Sequence, residues 1–124
     1  MNAILDSDVW LWLQRLPAPF IIDLIDTYFE SSLTTLLDLR KAVAAGDRPQ
    51  FMFLVHRLKG SSAALGVQTL THVCAEIEAQ HRGNAIDDVA ACLHWIEAVY
   101  RQGTGAVAVQ RAALMESGLL ANMR

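Results

Sequence analysis

Helix punctuation constrains this chain most. Pro17 and Pro19, Gly46-Asp47 with Pro49, Gly66, and Gly83-Asn84 cut the sequence into segments of helical length. Between them apolar residues recur at spacings of three and four, the period of one helical face. Strand signals are nearly absent. There is no long alternation of period two and no Asn-Gly or Asp-Gly turn between β-branched runs. Asp6 or Ser7 can cap a first short helix through about Leu16. A long helix over about 18–45 follows, with Phe20, Leu24, Tyr28, Leu36, Leu39 and Val43 expected inward. Asp47 caps a third helix over about 48–65, with Pro49 in its first turn and Gly66 as its stop. A fourth covers about 68–82, with Leu70, Val73, Cys74 and Ile77 inward. A fifth starts near Ala85 and carries Ile86, Val89, Leu93, Ile96 and Tyr100. Gly103-Thr104-Gly105 is expected to interrupt it, with a last helical stretch over about 106–117. Short connections between long amphipathic helices predict an all-α fold. The expected form is an antiparallel up-down four-helix bundle with a short N-terminal helix and a C-terminal helical extension.

Bulk properties narrow the function. The 124 residues, 53% of them hydrophobic, suit one domain over 1–124 with a helical core at about 4–117. The net charge of −3 and the absence of a Lys/Arg cluster argue against a nucleic-acid footprint. No apolar run approaches the ~20 residues that span a bilayer. The N-terminus lacks a basic region followed by an apolar core, so no signal peptide is expected. A cytoplasmic, whole protein is the expectation, with Met1 close to the first cap. Cys74 and Cys92 are then reduced and read as small buried hydrophobes.

The stretch His56-Arg57-Leu58-Lys59-Gly60-Ser61-Ser62 stands apart. Its histidine, lysine and glycine fall at i, i+3 and i+4, on one helical face. Glycine inside a helix costs roughly 1 kcal/mol relative to alanine. At about 100° per residue, Phe51, Leu54, Val55, Leu58, Ser62 and Leu65 share the core side, and His56 lies about 140° from Phe51. Met52, Phe53 and Ala63 ring the histidine and form an expected docking rim. Neutral imidazole is a good nucleophile near neutral pH, which suits phosphoryl transfer through histidine. Lys59 can offset phosphoryl charge and favour the neutral ring. Gly60 leaves room for a partner's active site.

Residues 56–78 resemble the histidine-containing phosphotransfer (HPt) domain family. The match is His56-x-Leu58-Lys59-Gly60-Ser61-Ser62-x-x-Leu65-Gly66, then Leu70, Cys74, Ile77 and Glu78. The resemblance implies that His56 carries a phosphoryl group, that Lys59 supports it and that Gly60 permits docking. It implies exchange with aspartates of response-regulator receiver domains, fed by a hybrid sensor histidine kinase. It also implies a hydrogen-bonding side chain 22 residues after the histidine, here Glu78 where glutamine is frequent. That carboxylate would accept the proton of the far ring nitrogen and leave the near one to attack. The chain is then a phosphocarrier rather than an ATP-using kinase, and no P-loop is present. It is expected to be a monomer with no cofactor of its own, magnesium belonging to the receiver's acidic site.

Two rival functions use the same residues. A non-phosphorylated adaptor could bind a receiver or kinase through this face, but docking alone does not require an imidazole. A hydrolase using His56 as base lacks a nucleophile, because Ser61 falls about 140° from His56. Other signals are discounted. His72 with Cys74, and Cys92 with His94, are two apart on helices and diverge by about 200°, so neither pair chelates one ion. His81 suits a helix C-terminus. Gly103-Thr104-Gly105-Ala106-Val107-Ala108 fits the loose dinucleotide string but follows a helix rather than a strand. Trp10, Trp12 and Trp95 are expected in the core.

Overall fold

The computed structural model describes residues 4–84 and 88–123. The helices are α1 (Ser7–Leu13), α2 (Ala18–Ala45), α3 (Arg48–Ala64), α4 (Gln68–Arg82) and α5 (Val89–Asn122), with no strand among the described residues. Local chemistry explains the boundaries. Asp6 caps α1 by accepting from the Asp8 and Val9 amides. Asp47 does the same for Gln50 at the head of α3. Gly46 and Gly66 both take φ of +67°, the left-handed stop that glycine adopts without a Cβ penalty. At each, paired amides reach back to close the turn: Asp47 to Ala42 and Gly46 to Val43, Val67 to Ser62 and Gly66 to Ala63.

α2 packs on α3 and α5, and α4 packs on the same two, so the four helices form an up-down ring. The lengths are unequal. α2 and α5, with 28 and 34 residues, run about 42 and 51 Å, while α3 and α4, with 17 and 15, run about 25 and 22 Å. The N-terminal turns of α2 and the C-terminal half of α5, beyond Gly103 where Val67 meets it, therefore extend past the α3–α4 turn. α1 sits at that end, tied by the Asp6 amide to the Gly66 carbonyl at 2.7 Å. Arg111 forks onto Asp26 at 2.8 and 3.1 Å and pins the extension.

Four expectations need correction or limits. The inward stripe of α2 is Ile21, Ile25, Tyr28, Ser32, Thr35, Leu36, Leu39 and Ala42, while Phe20 and Leu24 are exposed. Two polar residues inside the true stripe weaken its apolar pattern. Both are satisfied in place, Ser32 by the Tyr100 hydroxyl and Thr35 by the Ser31 carbonyl. Second, Gly103-Thr104-Gly105 does not break α5, which is continuous through it. A Cβ on Gly103 would stand 2.7 Å from Val67 Cγ1, so this glycine serves close approach to the α3–α4 turn. Third, Trp10 is buried but Trp12 and Trp95 are exposed. Trp12 lies two positions from Trp10 on a helix that buries only one face. Fourth, the expected fifth-helix start at Ala85 and the inward placement of Ile86 lie outside the described residues.

The core joins Phe51, Leu54, Val55 and Leu58 of α3 to Leu70, Cys74 and Ile77 of α4 and to Ile21, Ile25 and Leu39 of α2, with Ile96 and Val107 from α5. Cys74 and Cys92 are both buried and unbridged. No described helix is long and apolar enough to cross a membrane.

Candidate functional site at the α3–α4 seam

Core packing decides which way the histidine faces. Phe51, Leu54, Val55, Leu58 and Ser62 are all buried and fix the rotation of α3. Ser62 adds a buried tie, with its Oγ 3.1 Å from the Tyr28 hydroxyl. On the flank toward α2, Arg57 donates to Thr35 Oγ1 at 3.1 Å and pairs with Asp38 at 3.7 Å. The opposite side of α3 must then point outward, and the His56 side chain is 69% exposed.

α4 is fixed the same way by Leu70, Val73, Cys74 and Ile77. Its next position, Glu78, falls at the edge of the core against α3. The Glu78 side chain is only 14% exposed, and its two oxygens are divided between two partners. Oε2 lies 2.9 Å from His56 Nδ1. Oε1 lies 2.6 Å from Lys59 Nζ, an ion pair that joins Glu78 to the lysine three positions after the histidine. Burial pushes the Glu78 carboxyl up, but the Lys59 ammonium and the His56 ring outweigh it and hold it below the ordinary carboxylate range.

An ionised carboxylate only accepts. The Nδ1 facing it must therefore carry the proton, and in the neutral ring Nε2 keeps its lone pair. Nε2 has no hydrogen-bond partner among the described residues. The engaged nitrogen is the one nearer the backbone, which reverses the expected assignment of far and near. Lys59 also differs from expectation. Its ammonium is occupied by Glu78, so it acts first on the carboxylate and only through it on the ring.

The remaining predicted residues share the face unequally. Phe53 is 58% exposed, and Gly60 and Ala63, further along α3, are exposed as well. Met52 is partly buried and packs against the core, so it supports the rim from beneath. A Cβ on Gly60 would meet nothing within 4 Å. No contact inside the chain calls for this glycine. Gly105 and Gly118 are equally unobstructed, so openness alone does not single it out; its place one turn from His56 does.

Sequence reasoning missed a hollow of about 190 Å³ between α2 and α3, lined by Leu24, Thr27, Ser31, Ser61 and Ala64 among others. The available signal was Leu24, an apolar residue outside the true α2 stripe. Among the described residues no three His, Cys, Asp or Glu side chains converge as a metal-ligand set.

Comparison with known proteins gives a consistent picture. The family model described as Hpt domain matches residues 23–121. Multistep phosphorelay regulator 1 of Schizosaccharomyces pombe is 42% identical over 59 residues, 48% of this chain and 20% of that protein. The chain thus spans about a fifth of the length of this relative. The crystal structure of histidine-containing phosphotransfer protein B (HptB) from Pseudomonas aeruginosa PAO1 is similar with a TM-score of 0.81. It is 25% identical, and the match covers 91% of this chain and 98% of that one.

Proposed function

The chain belongs to the histidine-containing phosphotransfer (Hpt) domain family, and from that membership we propose that His56 is the phosphoacceptor of a phosphorelay intermediate. The observation that carries the assignment is the division of labour on one ring: Nδ1 is held by Glu78 while Nε2 faces solvent. In the proposed step the Nε2 lone pair attacks the phosphorus of a receiver's aspartyl phosphate. The Nε2–P bond forms as the P–O bond breaks, and the aspartate leaves as a carboxylate. The second half runs the same step in reverse onto another receiver's aspartate.

Each neighbour has a role in this scheme. Glu78 orients the ring and fixes its tautomer, which a docking-only adaptor would not need. Lys59 keeps Glu78 ionised and supplies positive charge beside the incoming group. Gly60 leaves the approach to Nε2 bare, with Phe53 and Ala63 as the apolar contacts around it. Met52 steadies that rim. The partners are receiver domains, with a hybrid sensor histidine kinase upstream. This chain acts as a monomeric phosphocarrier with no cofactor of its own, and the receiver's acidic site supplies magnesium. Positioning and charge then supply the rate, as in phosphoryl transfer generally.

The test is transfer from a phosphorylated receiver domain. Acid-labile, base-stable label is expected on the wild-type chain and none on His56→Gln. Undiminished label on that variant would overturn the assignment.

A further inference from the structure

The ring of His56 must carry a different charge once a phosphoryl group is on Nε2. A phosphorylated imidazole that also holds a proton on Nδ1 is a cation; without that proton it is neutral. The difference controls reactivity. When phosphoryl leaves the cationic form, the Nε2–P bond breaks, its electron pair returns to Nε2 and a neutral imidazole departs. When it leaves the neutral form, an imidazolate anion must depart, a far poorer leaving group.

Glu78 sits at the atom that decides between them. Its Oε2 is 2.9 Å from Nδ1, and its side chain is 14% exposed while the ring is 69% exposed, so the carboxylate is held in place beneath a ring open to solvent. A carboxylate at this distance stabilises the cation by charge. An amide in the same place can hydrogen-bond the ring but carries no charge. We infer that Glu78 is a positioning residue that keeps phosphorylated His56 protonated at Nδ1 through neutral pH, and so keeps its phosphoryl group transferable there. This rests on the phosphoacceptor role proposed for His56 and goes beyond it to the state of the phosphorylated form.

The surrounding charges leave this pair in control. On α3, Lys59 shares Glu78 and tempers its pull, while Arg57 turns away to Asp38 on α2. On α4, Cys74 is buried and its thiol is neutral, and His81 and Arg82 lie in the last turn. Of the α5 charges, Glu97 pairs with Arg40 and Arg111 with Asp26, both on α2 at the other seam, and His94 and Arg101 act on Glu97. The groups that act on the Glu78 carboxyl are Lys59 and His56. An opposite charge this close shifts a titration by about 1–3 units. The ring is exposed and Lys59 shares the carboxylate, and both temper this attraction.

A small phosphoramidate donor can label the whole chain without a partner. First-order loss of phosphohistidine is then followed from pH 5 to 10 for wild type and Glu78→Gln. The rate should fall with rising pH in both, and the wild-type midpoint should lie at the higher pH. At pH values above both midpoints the wild type should lose label faster than Glu78→Gln. Coincident midpoints, or a higher one in Glu78→Gln, overturn the inference while leaving His56 as phosphoacceptor. A wild-type chain that takes no label at all overturns both. Nitrogen-15 spectra of the phosphorylated wild type give a second reading that needs no variant. A proton-bearing Nδ1 at pH 7.5 is expected, and a bare, pyridine-like Nδ1 there overturns the inference.

Discussion

Gly60 is the residue at which stability and function pull apart most plainly. It lies within α3, where alanine is better by roughly 1 kcal/mol, and a Cβ there would touch nothing in the chain. Gly60→Ala should therefore raise stability by up to ~1 kcal/mol, or about 4 °C in Tm by thermal melt. The same change should slow transfer from a phosphorylated receiver, because the added methyl stands in the approach to Nε2. A variant no more stable than wild type, or one with unchanged transfer, would remove the partner-clearance role. Glu78 offers a pH signature on the unmodified protein. Its carboxyl is held below its ordinary value of 4.5, with burial opposing and Lys59 and His56 prevailing. The sign follows from linkage. A depressed carboxyl contributes stability that is fully present above its unfolded pKa and is lost as pH falls through its folded value. Asp26 and Glu97 are also lowered, by Arg111 and Arg40 respectively, and act in the same direction. Urea unfolding should show stability falling as pH drops below about 4.5, and Glu78→Gln should show a smaller acid loss than wild type. The placement of His56, Lys59 and Gly60 on one face was legible from spacing, because α3's core residues repeat cleanly. The Lys59–Glu78 contact was not, since it joins two helices whose relative height depends on the whole bundle.

Among the elements, α4 matches its sequence expectation at both ends, because Gly66 and Gly83-Asn84 bracket a strong apolar stripe. α5 does not, and the reason is energetic. Two glycines so close together read as a break because each costs roughly 1 kcal/mol in an isolated helix. In the folded chain Gly103 faces buried Val67 and lets α5 pass tightly over the α3–α4 turn, so packing outweighs propensity. The two glycines should respond oppositely to alanine. Gly103→Ala places a methyl 2.7 Å from Val67 Cγ1, and Val67 is fully buried, so overpacking of ~1–3 kcal/mol should exceed the propensity gain. Gly105→Ala meets open space and should stabilise by up to ~1 kcal/mol. Urea midpoints of the two variants decide this, and equal signs would mean that α5 is not held against Val67 as described. The rotation of α2 was illegible for a related reason. Ser32 and Thr35 occupy inward positions, where Tyr100 and Arg57 from other helices, together with carbonyls of α2 itself, satisfy their hydroxyls.

Across the molecule, the two cysteines report on the integrity of the bundle. Cys74 is fully buried, and burial pushes its thiol up to about 12, with the Glu78 charge adding to the effect. Burial likewise raises Cys92. Both should resist a thiol reagent at pH 8 in the native protein and react together on unfolding. Rapid native labelling of Cys74 would show that the α3–α4 seam opens more readily than its packing implies. That seam presents a single reactive atom to the outside. If His56 is the phosphoacceptor proposed above, its Nδ1 is committed to Glu78, the ring offers one berth, and donor and acceptor must use it in turn. A relay built this way obeys ping-pong kinetics, and its traffic can be jammed by its own clients. An unphosphorylated receiver in excess should occupy the berth and slow loading from a phosphorylated one. Queueing at one nitrogen, rather than the chemistry at it, would then limit flux when receivers outnumber carriers.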